Sequence, residues 1–165
     1  MAAAELSQTA VLVVDDNKAE RALIVRALHS LGVGNLREAS TRKEAISHLG
    51  RFNADVVLCD FTTDESEGVI FARWVRTAPE SSNPFVPLIL MMAKPSVQEV
   101  KDALDAGINE ILIKPFSVKA MGDRIRAVLE NPREFIRTDA YVGPDRRRRD
   151  RPDYAGPERR RRGYR

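Results

Sequence analysis

A short apolar run that ends in two carboxylates constrains the fold of this chain more than any other feature. Residues 10–14 are apolar without interruption, and Asp15 and Asp16 follow them directly. A run of this length ended by polar residues is typical of a parallel strand buried on both faces. Because open α/β sheets bind ligands at the carboxyl ends of their strands, both aspartates would lie at a ligand site. The alternative is that they only cap the following helix.

Strand-like runs and helix-like segments alternate through the rest of residues 8–131. Further strands are expected at residues 36–39, 54–59, 86–93 and 108–113. Helices are expected at residues 19–31, 42–49, 68–75, 96–106 and 118–130. Five strands alternating with five helices predict an α/β fold, a doubly wound parallel five-stranded sheet with helices on both faces.

Four charged residues are expected to converge at one edge of this sheet. Asp15, Asp16, Asp60 and Lys114 each follow a predicted strand, and right-handed crossovers bring the ends of such strands to the same edge. This convergence weighs against the helix-capping alternative. Close carboxylates repel one another, so the cluster predicts a bound cation.

Composition limits the protein class, and charge divides the chain in two. No apolar run is long enough to cross a membrane, the N-terminus has no secretion signal, and the single Cys59 cannot form an internal disulfide. We therefore expect a cytoplasmic protein without membrane insertion. Residues 133–165 contain 12 arginines and 6 acidic residues, which leaves 15 basic and 18 acidic residues in residues 1–132. An acidic domain thus carries a basic extension at residues 132–165.

The Asp15-Asp16 pair, Asp60 after the third strand and the Lys114-Pro115 pair together resemble the receiver domain of two-component response regulators. The resemblance covers residues 8–131 and implies a flavodoxin-like or CheY-like fold in a signalling protein that is not an enzyme. It also implies a histidine kinase as a partner.

The same resemblance assigns roles to individual residues. Asp60 would accept a phosphoryl group, and Lys114 would bind the phosphoryl oxygens. Asp15, Asp16, Asp60 and the backbone carbonyl of Thr62 would bind Mg²⁺. The peptide bond between Lys114 and the following proline would be cis.

Three features of the sequence depart from the receiver pattern. The threonine or serine that ends the fourth strand in receivers is Met92 here, which has no strong donor. The aromatic switch residue of the fifth strand is Ile111, and the usual Met-Pro pair after the phosphoacceptor is Thr63-Asp64. We therefore expect that phosphorylation is not the main input.

An internal repeat occupies the basic extension. The unit Tyr-x-Gly-Pro-acid-Arg-Arg-Arg-Arg begins at Tyr141 and again at Tyr154, 13 residues later. Gly-Pro pairs and runs of like charge predict that the free extension is disordered. The extension contains no lysine, and an acid precedes each arginine run; both facts argue against a simple polybasic tail that binds any polyanion.

The residue types of the repeat suit guanine. Arginine pairs with guanine O6 and N7, a carboxylate accepts from guanine N1–H, and tyrosine or arginine planes stack on the base. The remaining arginines would pair with phosphates. A ligand with two guanines and two phosphates matches a repeated unit, and cyclic di-GMP is such a ligand.

A receiver followed by an arginine-rich extension also resembles the Cle family, CheY-like effectors of cyclic di-GMP. That resemblance implies that the extension binds the nucleotide while the receiver docks on the flagellar motor switch protein, which would recruit it to the flagellated cell pole. The nucleotide-binding residues it implies are Tyr141, Pro144, Asp145, Arg146, Arg147, Arg148 and Arg149 in the first unit and Asp153, Tyr154, Pro157, Glu158, Arg159, Arg160, Arg161 and Arg162 in the second. Two alternatives remain: an ordinary phosphoacceptor in a phosphorelay, and a receiver with a tail that binds nucleic acid nonspecifically.

Overall fold

The computed structural model describes residues 6–61 and 66–147. After a short 3₁₀ turn, its strands are β1 (Ala10–Asp15), β2 (Asn35–Ala39), β3 (Val56–Asp60), β4 (Leu88–Ala93), β5 (Glu110–Lys114), β6 (Phe135–Arg137) and β7 (Val142–Pro144). Its helices are α1 (Lys18–Ser30), α2 (Arg42–Leu49), α3 (Ser66–Thr77), α4 (Val97–Asp105) and α5 (Val118–Glu130). In this part of the chain, no helix combines the length and the apolar character needed to cross a membrane.

The first five strands form one parallel sheet in the order β2-β1-β3-β4-β5. The predicted α/β fold with a doubly wound five-stranded sheet is therefore confirmed. β1 and β3 are neighbours, and their register places Asp15 directly beside Asp60. These two strands are adjacent because the chain crosses from β2 over β1 and places β3 on the other side of β1. Their order in the sequence alone does not make them neighbours.

Helices cover both faces of the sheet, and alternate strand residues pack against different helices. Val57 and Leu88 pack with α2, α3 and α4 on one face. Val11 and Leu58 pack with α1 and α5 on the other face. Because each buried aliphatic side chain stabilises the fold by about 1.5–3 kcal/mol, these runs account for much of its stability.

The N-cap residue of α1 is neither of the two adjacent aspartates, so the helix-capping alternative for Asp15 and Asp16 is wrong. Asn17 is the N-cap residue, and its side chain accepts hydrogen bonds from the backbone amides of Ala19 at 3.0 Å and Glu20 at 3.1 Å. Asp15 and Asp16 therefore do not serve as the N-cap residue of α1.

The extension begins differently from the prediction. Strands β6 and β7 form an antiparallel hairpin, with Phe135 opposite Pro144 and Arg137 opposite Val142. The expectation that the chain lacks regular structure from residue 132 onward is therefore wrong for this segment. Residues 148–165, where the second repeat unit falls, lie outside the described residues.

A buried arginine anchors this hairpin to the five-stranded domain. Arg76 in α3 is only 1% exposed. Its guanidinium donates to the carbonyl oxygens of Pro84, Val86 and Gly107 and to Oδ1 of Asn109, at 2.7–3.0 Å. It also lies 4.8 Å from the centre of the Phe135 ring in β6, and Phe135 meets Phe85 edge to face at 5.2 Å. The extension is thus packed against the edge where β4 and β5 begin, opposite the carboxyl ends of the strands.

Candidate functional site

The carboxyl end of the sheet holds a buried acidic pair. Asp15 at the end of β1 and Asp60 at the end of β3 are 0% and 3% exposed. Asp15 Oδ1 accepts a hydrogen bond from the Asn17 amide at 2.7 Å. Its other oxygen, Oδ2, is buried and has no hydrogen-bond partner among the described residues. An unsatisfied carboxylate oxygen in such a place is available to a ligand.

Lys114 lies at the same edge, as predicted from the sequence. Its ammonium group contacts Asp60 Oδ2 and donates to Glu20 Oε2 at 2.9 Å. The Lys114–Pro115 peptide bond is cis, which confirms the expectation from the receiver resemblance. The lysine therefore bridges the predicted phosphoacceptor and a carboxylate of α1.

Glu20 is a member of this cluster that sequence reasoning missed. Carboxylate oxygens of Asp15, Glu20 and Asp60 lie within 4.8 Å of one another. Asp16 is half-buried and does not belong to this group of three, although its charge raises the pKa of Asp60. The available signal was an acidic residue in the first turn of the helix that follows the carboxylate pair.

Burial and the repulsion between neighbouring carboxylates make it unfavourable to ionise the acids of this pocket when no cation is bound. Burial raises the pKa of Asp15 from 3.8 to about 6, and the charges of Asp60 and Glu20 act in the same direction. Burial also raises the pKa of Asp60, although Lys114 partly opposes this shift. Burial by itself lowers the pKa of Lys114, but its hydrogen bonds to Asp60 and Glu20 outweigh that effect and raise it.

The donor set fits a small divalent cation. Three carboxylates can supply oxygen ligands, which Mg²⁺ prefers, and Asp15 Oδ2 is a buried oxygen with no other partner among the described residues. Of the predicted ligands, Asp15 and Asp60 are together, Asp16 lies nearby, and Thr62 falls outside the described residues. The residues that would hold the ion are therefore Asp15, Asp60 and Glu20.

The pocket beside Asp60 has no hydroxyl at the end of β4. A cavity of about 290 Å³ is lined by Asp60, Met92 and Lys114 among others, and the Met92 side chain is buried. Ile111 packs against the core beside α2, α3 and α4. Cys59, next to Asp60, is fully buried, and burial raises its pKa to about 12, so it is an unreactive packing residue.

The first repeat unit contacts the five-stranded domain at the end of α4. The Arg146 guanidinium lies 4.2 Å from the centre of the Tyr141 ring. Arg146 Nη1 donates to Asp105 Oδ1 at 2.5 Å, and its Nη2 donates to the Leu104 carbonyl at 2.9 Å. The Tyr141 hydroxyl donates to the Pro144 carbonyl at 2.9 Å. The extension therefore presents a stacked aromatic and guanidinium pair beside the end of α4.

Asp145 holds the start of the arginine run in place. It is 7% exposed, and its amide donates to the Glu134 carbonyl at 2.6 Å. Its Oδ1 accepts from the Arg147 amide at 2.9 Å. The structure thus brings Tyr141, Pro144, Asp145, Arg146 and Arg147 together. The remaining predicted nucleotide contacts lie outside the described residues, namely Arg148, Arg149, Asp153, Tyr154, Pro157, Glu158, Arg159, Arg160, Arg161 and Arg162.

Comparison with known proteins agrees with the geometry of the acidic pocket. Residues 11–126 match the model of the response regulator receiver domain. The chain is 32% identical over 121 residues to the chemotaxis protein CheY1 of Helicobacter pylori, with 72% of this chain and 95% of that protein covered. It is 24% identical over 120 residues to the chemotaxis protein CheY-3 of Vibrio cholerae, covering 73% and 91%.

Solved structures show the same fold. The chemotaxis protein CheY4 of Vibrio cholerae superimposes with a TM-score of 0.65 at 23% identity, covering 73% of this chain and 98% of that one. The receiver domain of a sensor histidine kinase from Pseudomonas aeruginosa superimposes with a TM-score of 0.64 at 23% identity, covering 74% and 98%. That domain was solved with a magnesium ion coordinated in its active-site cleft.

Proposed function

This chain belongs to the response regulator receiver domain family, and we propose that it is a CheY-like signalling effector that binds cyclic di-GMP through its arginine-rich extension. It acts by binding rather than by catalysis. The matched family region ends at residue 126, so the extension lies outside the receiver match. Binding of the nucleotide changes how the receiver docks on its partner.

The arrangement of Tyr141 and Arg146 carries this proposal. A guanidinium plane held over an aromatic ring at 4.2 Å is a surface on which a purine base can stack. The buried Asp145 and the exposed Arg147 flank Arg146 in the chain. These groups supply an acceptor for guanine N–H groups and a donor for guanine O6 or a phosphate.

The partner is proposed from the receiver resemblance. Relatives named as chemotaxis proteins support a role in motility control. We assign the flagellar motor switch protein as the docking partner, with the effector acting in the cytoplasm and at the flagellated pole. Binding of purified motor switch protein, measured with and without cyclic di-GMP, tests this assignment. An affinity that the nucleotide does not change would contradict it.

Calorimetry of the full chain tests nucleotide binding. We expect cyclic di-GMP to bind at least tenfold more tightly than GTP, cyclic di-AMP or a short oligonucleotide. Equal affinities that fall steeply with salt, whatever the base, would instead indicate nonspecific binding of nucleic acid through phosphate charge.

A phosphoacceptor function is the second candidate, and the contact between Lys114 and Asp60 favours it. An Asp60 carboxylate oxygen would bond to the phosphorus of a small phosphodonor, whose own bond to phosphorus breaks as its leaving group departs. Lys114 would pair with the phosphoryl oxygens after leaving Asp60 and Glu20. Mg²⁺, when bound, would neutralise part of the negative charge of the carboxylates and phosphoryl oxygens.

Acetyl phosphate with Mg²⁺ tests this second function. Intact-mass measurement should show one added phosphoryl group on the native chain and none on Asp60→Asn. If the modification also alters binding to the motor switch protein while cyclic di-GMP does not, phosphorylation is the working input and the first proposal fails.

A further inference from the structure

A cleft lies between the extension and the receiver, on the side of α3 and α4. Its volume is about 560 Å³, within the range of sites that enclose small ligands. Arg73 of α3 and Asp105 at the end of α4 line it from the receiver. Tyr141, Asp145, Arg146 and Arg147 line it from the extension.

Three arginines line the cleft, and two of them, Arg73 and Arg147, make few interactions with other described residues. Arg73 is exposed, and its guanidinium has no ion pair or hydrogen bond with another described residue. Arg147 is 72% exposed, and its contact with Asp145 is long, at 4.0 Å. Three arginines against Asp105 and Asp145 leave the cleft with an excess of one positive charge. A ligand that carries phosphate complements this charge.

From this arrangement we infer that the cleft is a composite guanine nucleotide site in which Arg73 of the receiver binds a ligand phosphate and Asp105 competes with the ligand for Arg146. This inference deepens the proposed function and rests on it, because it adds receiver residues to a site assigned to the extension. The base would stack beside Tyr141, while its phosphate would lie between Arg73 and Arg147.

Asp105 opposes nucleotide binding because its carboxylate accepts a hydrogen bond from the Arg146 guanidinium, the donor that the nucleotide would use. The two terminal nitrogens of Arg146 are engaged with the Asp105 carboxylate and the Leu104 carbonyl. A phosphate or a guanine edge requires the same pair of parallel donors. The ligand must therefore displace Asp105. An exposed ion pair of this kind is weak enough for a phosphate to replace.

The anchored hairpin makes the cleft a preformed site. Arg76 and Phe135 fix β6 on the receiver, and the Asp145 amide is tied to Glu134. Tyr141 and Arg146 therefore face Arg73 before a ligand arrives. Ordering a flexible segment costs about 1–2 kcal/mol per residue, and this part of the extension is already ordered.

Charge-neutral variants of the full chain, titrated calorimetrically with cyclic di-GMP, test the inference. Arg73→Gln should weaken binding at least fivefold. Its control is Arg26→Gln, the same charge change at an exposed residue of α1 on the opposite face of the sheet, which should change the affinity less than twofold. Asp105→Asn should tighten binding about threefold, whereas Asp102→Asn, one turn earlier in α4, should leave it unchanged.

The outcomes separate this inference from the proposal on which it rests. If the native chain binds cyclic di-GMP but Arg73→Gln behaves like Arg26→Gln, the receiver does not contribute and the inference is overturned, while the proposed function stands. If Asp105→Asn weakens binding, the competition is overturned. If the native chain does not bind cyclic di-GMP, both fail. Amide shifts at Arg73, Leu104 and Asp105 on titration would support the composite site directly.

Discussion

The guanidinium carbon of Arg76 lies 4.8 Å from the centre of the Phe135 ring, which joins a buried residue of the receiver to the first strand of the extension. Burial lowers the pKa of Arg76 to about 10, so the group is still charged at neutral pH. Its charge is spread over four hydrogen bonds to oxygen acceptors. The hairpin is therefore an integral part of the receiver surface.

Arg76→Met should destabilise the protein strongly. The substitution removes the donor shared by the buried carbonyls of Val86 and Gly107, the partly buried carbonyl of Pro84 and the side chain of Asn109. A buried acceptor left without a partner costs about 1–3 kcal/mol, so we expect a loss of several kcal/mol. Urea unfolding measures this difference. Arg73→Met, one turn earlier on the same helix but exposed, is the control and should change the free energy of unfolding by less than about 0.5 kcal/mol. A loss at Arg76 no larger than that at Arg73 would contradict the anchoring role.

Gly107→Ala should detach the hairpin. Gly107 has a φ of +94°, and a Cβ atom there would lie 2.7 Å from the Val142 carbonyl oxygen. The left-handed conformation alone costs a residue with a side chain about 1–2 kcal/mol. Hydrogen exchange at residues 135–144 should become faster. Gly34→Ala is the matched control, because Gly34 has open space and no positive φ; unchanged exchange in Gly107→Ala would refute the close approach.

The sequence predicts the sheet well because its strands are marked locally. β1, β3 and β4 are continuous apolar runs, and β1 and β3 end in Asp15 and Asp60 of the site. Once the crossover places β3 beside β1, the parallel register brings Asp15 and Asp60 together. The convergence of Asp15, Asp60 and Lys114 could therefore be predicted from the sequence.

The features that the sequence analysis missed depend on contacts between distant residues. Glu20 lies in a helix, and only the tertiary fold brings its carboxylate to Lys114, 94 residues away. Arg76 ends an amphipathic helix, where an arginine is normally exposed. The strands of the hairpin have three residues each, too short for a periodic pattern.

Asp15→Asn should stabilise the metal-free protein at neutral pH. Below pH 3.8 the side chain is protonated in both the folded and unfolded states. Because burial raises its folded pKa to about 6, the unfolded state loses its proton first, and stability falls as the pH rises from about 4 to 6. The rise in the pKa of Asp15 from 3.8 to about 6 corresponds to roughly 3 kcal/mol in the free energy of unfolding.

Urea unfolding of the native chain and Asp15→Asn, compared from pH 4 to pH 7 without metal, measures this effect. The advantage of the variant should grow over that interval and stay constant above it. Adding millimolar Mg²⁺ at pH 7 should stabilise only the native chain, with amide shifts clustered at Asp15, Asp16 and Asp60. A pH-independent difference, together with no response to Mg²⁺, would contradict the account of the acidic pocket.

Phosphoryl mimicry at Asp60 should leave the surface of β4 and β5 nearly unchanged. Met92 has no hydroxyl that could donate a hydrogen bond to a phosphoryl group. Ile111 has no aromatic ring whose movement could transmit the change to the surface of β4 and β5. Amide spectra with and without beryllofluoride measure the response. Met92→Thr should enlarge it, because the hydroxyl restores a donor at the pocket. Large shifts at residues 97–111 in the native chain would show that the relay works without these side chains.

The most direct test of the central claim is the dissociation constant of cyclic di-GMP for the full chain and for a variant with lysine at residues 146–149 and 159–162. Lysine keeps the positive charge but cannot form the paired donors that recognise guanine and phosphate. We predict that the variant binds at least about tenfold more weakly, a difference of about 1.4 kcal/mol, and that both proteins unfold at similar urea concentrations. Equal affinity of the two proteins would show that the extension attracts anions by charge alone, and would contradict its role as a guanine nucleotide receptor.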